Sequence, residues 1–305
     1  MTSPEPTAEM VRPSGPDGVI HDIGYRRYSG ERLDRGYITR SLFVSSLRGA
    51  FGLGRSGRSK ILPMLLASAM VITAVVIVAV INIVSLDEQP LAYSRYAIAL
   101  QLVIAIFLAA QSPQLVSRDL RFRTITLYFA RPLERIDYVT AKYAAMAAAL
   151  FIITGLPLVV LYLGGLLAGL PFGRQTAEFA GGMLGLIVLS FLLAGIGLVF
   201  AALTPRRGFA VAIVIVVMLV SYGGVNIVAA VAWEEGAFDL AGWVGLFSPM
   251  TLFDGVQVFL FEAESSAIVA PPGTLGGAVY CLAAFACIVG SFGILLARYR
   301  RLAAA

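Results

Sequence analysis

The chain has 305 residues, 59% of them hydrophobic and only 13% charged, with a mean hydropathy of +0.86. Soluble domains carry nearer 25% charged residues, so this composition excludes an ordinary cytosolic enzyme, a disordered chain and a disulfide-stapled secreted domain. What remains is a polytopic membrane protein.

Residues 1–36 read as a cytoplasmic tail, disordered over its Pro-, Ser- and Glu-rich start. No apolar core of signal-peptide length precedes the first long hydrophobic run, so the N-terminus is expected to stay where it is made. Over 37–58, Phe43, Leu47, Ala50 and Phe51 recur at helical spacing, with Ser41, Ser45 and Arg48 opposite. The pattern predicts an amphipathic helix lying in the membrane interface, an ordinary soluble helix being the alternative.

A helix needs roughly 20 apolar residues to cross a hydrocarbon core of about 30 Å. Six stretches qualify: 61–84, 97–116, 144–168, 179–203, 209–232 and 273–297. The expected fold is therefore an all-α membrane protein with six transmembrane helices and both termini on one side.

Two connections are more than linkers. Residues 117–142 mix charges with Phe122, Leu127, Tyr128, Phe129 and Ile136, too apolar for a solvated loop and too charged for lipid. A surface helix broken at Pro132 fits both facts, either docking on another protein or resting on headgroups. Residues 233–272 hold six acidic and no basic side chains, and their apolar middle, 238–261, is interrupted at Ser248-Pro249. Each piece is too short to span, which predicts a re-entrant helix pair, with a small soluble cap as the alternative.

Charge supplies the orientation. Of the 23 Lys and Arg residues, 21 fall in segments on one side and only Arg95 and Arg174 on the other, while the acidic residues divide 9 to 9. A bias confined to Lys and Arg is the positive-inside signature, so both termini are expected to be cytoplasmic. It also accounts for the net charge of +5 without a nucleic-acid partner. Arginine outnumbers lysine 21 to 2 and Ala and Gly are plentiful, which fits a GC-rich bacterial genome, so the expected location is a bacterial plasma membrane.

Catalytic motifs lack their parts. His21 is the only histidine, and Lys60 and Lys142 follow Ser59 and Ala141. HExxH zinc sites, a Ser-His dyad and a GxxxxGK phosphate loop are all excluded, so no catalytic, cofactor-binding or metal site is expected in the chain itself. Asp254 has no second intramembrane carboxylate with which to share a proton. The span interiors hold no Asp, Glu, Lys, Arg or His, which argues against ion coupling. Among uncharged polar residues, Gln101, Gln111, Gln114, Ser221 and Asn226 are candidates for a substrate path, although inter-helix hydrogen bonding is the commoner use. Gly165 with Gly169, and Gly181 with Gly185, form small-xxx-small pairs that permit close helix approach.

The run Ser117-Arg118-Asp119 through Leu127-Tyr128-Phe129-Ala130-Arg131-Pro132-Leu133-Glu134-Arg135 to Asp137-Tyr138 and Lys142 resembles the loop after the second span in ABC transporter permeases of the ABC-2 type. Ile20-His21-Asp22-Ile23-Gly24-Tyr25-Arg26-Arg27-Tyr28, with Gly30-Glu31-Arg32-Leu33, is similar to the head of actinobacterial members. The resemblance extends in layout to the whole chain. It departs at Asp119, where glutamate is usual, and at Arg123-Thr124, which replaces a Gly-Thr step.

The resemblance implies a coupling helix between spans two and three and a dimer with a second permease copy or a sister permease. Two copies of a separate ABC ATPase subunit would bind ATP and Mg and drive transport, with export as the expected direction. Asp119, Arg121, Arg123, Tyr128, Arg131, Arg135 and Asp137 would then contact the ATPase subunit. Two other readings stay open: a membrane-embedded lipid-modifying enzyme holding a divalent ion at Asp239, Asp254, Glu262 and Glu264, and a non-transporting assembly or sensor component.

Overall fold

The computed structural model describes residues 30, 33–84, 86, 88–116, 133–204 and 207–302. Met1–Leu33 is a separate unit, and the fold described is that of the unit beginning at Asp34. Asp119, Arg121, Arg123, Tyr128, Arg131 and the break at Pro132 lie outside the described residues, as does nearly all of the 1–36 tail.

Every regular element among the described residues is helical. In chain order these are α1 (Arg35–Ala50), α2 (Arg58–Val84), α3 (Tyr93–Ala99), α4 (Gln101–Leu115), α5 (Arg135–Leu167), α6 (Phe172–Leu203), α7 (Arg207–Glu234), α8 (Phe238–Val244), α9 (Pro249–Phe261) and α10 (Gly273–Leu302). Apolar chain that must satisfy every backbone group internally leaves the helix as its solution. Among the described residues five helices are long and apolar enough to cross a membrane, and the number rises to seven if each of two bent pairs counts as a span.

Burial separates an inner layer from an outer one. In their most apolar windows α5 and α6 are each 61% buried, against 22% for α2 and α10 and 17% for α7. With α4, which buries Ile104, Phe107, Leu108 and Leu115, they make the centre of the bundle. The outer helices keep wide apolar faces open, Leu282 and Phe285 of α10 among them. At about 1.5 Å per residue, α5 and α6 are long enough to protrude past the hydrocarbon by several turns.

Close packing of the centre depends on glycine at two positions of α6. A Cβ on Gly195 would strike Ser291 Oγ, and one on Gly197 would strike Ser112 Oγ. The glycine pairs singled out from the sequence behave differently. Gly185 does bring α6 against Gln257 of α9, whereas Gly169 serves the α5–α6 turn with φ 84°.

The stretch 97–116, expected as one straight span, is broken. α3 and α4 meet at Leu100 with a bend of 61°, leaving a straight piece of 15 residues. No proline or glycine lies at the bend. Side-chain anchors hold α3 instead: Tyr96 Oη donates to the Met70 carbonyl of α2, and Tyr93 Oη donates to Gln175 Oε1 of α6 at 2.7 Å. The second bent pair turns by 117° between Phe238–Phe247 and Pro249–Phe261, at the Ser248-Pro249 step where the sequence places an interruption. α9 packs on α6 and α10 through Leu192, Leu252, Val256, Tyr280 and Ala284.

α1 is shorter than the expected 37–58 segment. Asp34 caps it by accepting from Tyr37 N at 2.9 Å, and it stops at Ala50 because the chain turns at Gly52, whose φ is 69°. Its buried line is Leu42, Ser46, Gly49 and Ala50, with Phe43, Leu47 and Phe51 half-buried beside it. Ser41, Ser45 and Arg48 are exposed, as the periodicity predicts. Small residues sit closest because α1 lies directly along α5.

Candidate functional site

The segment 117–132 leaves from the end of α4 and returns into α5, and the return is tied down by ion pairs. Arg35 of α1 donates from Nε to Asp137 Oδ2 at 2.6 Å and from Nη2 to Asp137 Oδ1 at 2.9 Å, and its Nη1 reaches Glu134. Asp137 Oδ2 also accepts from the Glu134 backbone N–H at 3.1 Å, capping α5. Two parallel guanidinium–carboxylate bonds fix orientation as well as distance. The Asp137 side chain is 15% exposed and that of Glu134 64%, so Asp137 is the anchor and Glu134 an accessory.

The junction continues inward. Tyr138 is fully buried and meets the ring of Tyr299 edge-on, with centroids 5.0 Å apart, while Lys142 Nζ stands 5.5 Å from the Tyr138 ring centroid. Such a ring pair contributes about 0.5–1.5 kcal/mol beyond its buried area. On the other side, Arg55 Nη1 donates to Gln114 Oε1 of α4 at 2.7 Å. One end of the bundle thus joins α1, the end of α4, the start of α5 and the end of α10. The basic residues of those segments gather there, and Arg95 and Arg174 stand at the opposite end.

Arg135 and Asp137, the two described residues of those expected from the resemblance to contact an ATPase subunit, part company. Asp137 is engaged by Arg35, whereas Arg135 is exposed with no side-chain partner among the described residues.

The far end holds a cleft of about 540 Å³ between α3, α6 and the end of α9. Its inner wall is polar: Tyr93 bonds Gln175, and Gln257 Nε2 donates to the Ser94 carbonyl at 3.1 Å, both glutamines being almost wholly buried. Its rim is ionic. Arg174 pairs with Glu88 at 2.7 Å and Glu178 at 2.8 Å, and Arg95 donates to the Ser265 carbonyl at 2.6 Å beside Glu264. Sequence reasoning used Arg95 and Arg174 only as markers of topology. That they are the two basic residues on their side was the available signal, and Gln175 and Gln257 gave none.

The proposed path residues are not brought together. Ser221 and Asn226 bond carbonyls of their own helix, those of Val217 and Tyr222, and Gln114 accepts from Arg55. Among the described residues Gln101 Oε1 is buried without a partner, and Gln111 is 1% exposed with neither amide atom bonded. None of the five lines the far-end cleft. An unbonded buried polar group costs about 1–3 kcal/mol. Gln111→Met, similar in volume, is therefore expected to raise the thermal midpoint in detergent by several degrees. A fall of comparable size would mean that Gln111 is bonded after all.

The acidic residues of 233–272 do not assemble a cation site. Asp254 is 2% exposed and accepts from Ser265 Oγ at 2.8 Å, Ser266 N at 3.0 Å and Ala267 N at 3.1 Å, pinning the loop after α9. Among the described residues no three His, Cys, Asp or Glu side chains converge. No family model matches the chain, and no curated protein matches it.

Proposed function

We propose that the chain is the membrane-spanning permease subunit of an ATP-binding-cassette transporter of the ABC-2 type, working as an exporter. The carrying observation is the junction at the α1 end. A segment that resembles a coupling loop in sequence re-enters the bundle through Asp137, and Asp137 is clamped to α1 and neighbours the Tyr138–Tyr299 contact with α10. A push on 117–132 would reach three helices at once, as a lever requires.

On this reading α3 and α4 together make the second of six crossings, and the 117° pair is a re-entrant element. The end rich in Lys and Arg faces the cytoplasm. ATP and Mg bind in a separate ATPase subunit, present twice, and a second permease copy or a sister permease completes the complex. Arg135 is a contact residue, and Asp137 acts by holding the loop's root.

The test is purification of the tagged chain from its host in mild detergent, with ATPase assay of what co-elutes, for wild type and Arg135→Glu. A co-eluting ATPase that the reversal releases or uncouples is the expected result. Elution of wild type without a nucleotide-hydrolysing partner, where other membrane complexes survive, rejects the reading, as does hydrolysis by the chain alone.

A further inference from the structure

We infer that the far-end cleft is a binding site for a small organic cation that also carries hydroxyl or carbonyl groups, such as an amino sugar. Its volume of about 540 Å³ lies within the range of about 300–1,000 Å³ of small-ligand pockets.

The first observation is a half-used amide. Gln175 is 3% exposed and lines the cleft; its Oε1 accepts from Tyr93, but its Nε2 bonds no group among the described residues. A second amide repeats the arrangement. Gln257 is 1% exposed, and its Nε2 donates to the Ser94 carbonyl while no donor among the described residues reaches its Oε1. Among the described residues the wall therefore offers one donor and one acceptor that no protein group uses, on side chains that are otherwise buried. A ligand hydroxyl satisfies both kinds of group.

The second observation is the charge of the rim. Four carboxylates, Glu88, Glu178, Glu262 and Glu264, face two guanidiniums, Arg95 and Arg174, leaving two negative charges uncompensated. Arg174 is already shared by Glu88 and Glu178, and Glu262 makes no ion pair among the described residues. An anionic ligand would have to displace these pairs, whereas an ammonium group adds to them. In a walled cleft the excess is focused on the entering ligand.

Glucosamine, glucose and glucuronate share one ring and differ in charge, and they test the assignment. Binding is measured by calorimetry on the purified full-length chain in lipid nanodiscs, without nucleotide or partner, so the outcome is separate from the transporter reading. The expected order is glucosamine, then glucose, then glucuronate, with about a tenfold span at low salt that narrows as salt screens the rim. Glu178→Gln with Glu262→Gln should remove the preference for glucosamine and leave glucose binding unchanged. Gln175→Leu should weaken glucosamine and glucose alike. Glu262→Gln alone, at an exposed position, should reduce the preference partway in a chain whose thermal midpoint matches wild type. Equal or better binding of glucuronate, a preference that survives the double substitution, or no binding of any of the three overturns the inference.

Discussion

On the proposed permease reading, Arg35→Glu is expected to abolish the ATPase activity of the co-purified complex while leaving the chain inserted and soluble in detergent. The substitution places a third carboxylate against Asp137 and Glu134, so the contact between α1 and the root of the 117–132 segment turns from attraction to repulsion. Restoration by the swap Arg35→Asp with Asp137→Arg would separate loss of the ion pair from loss of either side chain. If Arg35→Glu leaves stimulated ATPase activity at the wild-type level, the clamp has no part in coupling.

The same pair predicts a pH dependence. Asp137 lies ahead of the apolar stretch 144–168, and its hydrogen bonds from the Arg35 guanidinium hold its carboxyl below the usual carboxylate range. A depressed folded value stabilises the fold above the ordinary carboxylate pKa, and that contribution is lost as pH falls through the depressed value. The difference in thermal midpoint between wild type and Asp137→Asn should thus be constant from neutral pH down to about pH 4 and shrink only below it. A difference that fades between pH 7 and 5 would mean that another group governs the junction.

The second large effect is expected at Gly195→Val. The new Cβ would strike Ser291 Oγ and lie 2.6 Å from Tyr143 Oη, which itself donates to the Phe191 carbonyl at 2.9 Å. Overpacking of this kind costs about 1–3 kcal/mol, and losing the tyrosine bond adds about 0.5–1.5 kcal/mol. Ser291→Gly in the same chain should recover part of the loss. Gly290 of α10 has open space around it, so Gly290→Val serves as the matched control with little expected change. Equal midpoints for the Gly195 and Gly290 variants would show that α6 and α10 do not approach as closely as described.

Several features were legible before any tertiary contact was known, for local reasons. The apolar stretches are a running sum over neighbouring residues, and helices occupy all of those that are described. The exposed line Ser41, Ser45 and Arg48 on α1 follows from period alone, and the turn at Ser248-Pro249 from the residue that cannot continue a helix. Local sums fail where a distant side chain decides. The bend at Leu100 has no breaker in its own sequence and is held by bonds from Tyr93 to Gln175 and from Tyr96 to Met70.

The site divides in the same way. Composition, hydropathy and the distribution of Lys and Arg by themselves pointed to long apolar helices of membrane-spanning character with the basic residues gathered on one side, because burial in lipid is priced residue by residue. Only the tertiary structure decided that Asp137 belongs to Arg35, that the nominated path residues are scattered, and that Arg95, Arg174, Gln175 and Gln257 share one cleft. The physical reason is range. Hydrophobic matching acts along the chain, whereas the partner of a charge or an amide is whichever group the packing of helices brings within about 3 Å.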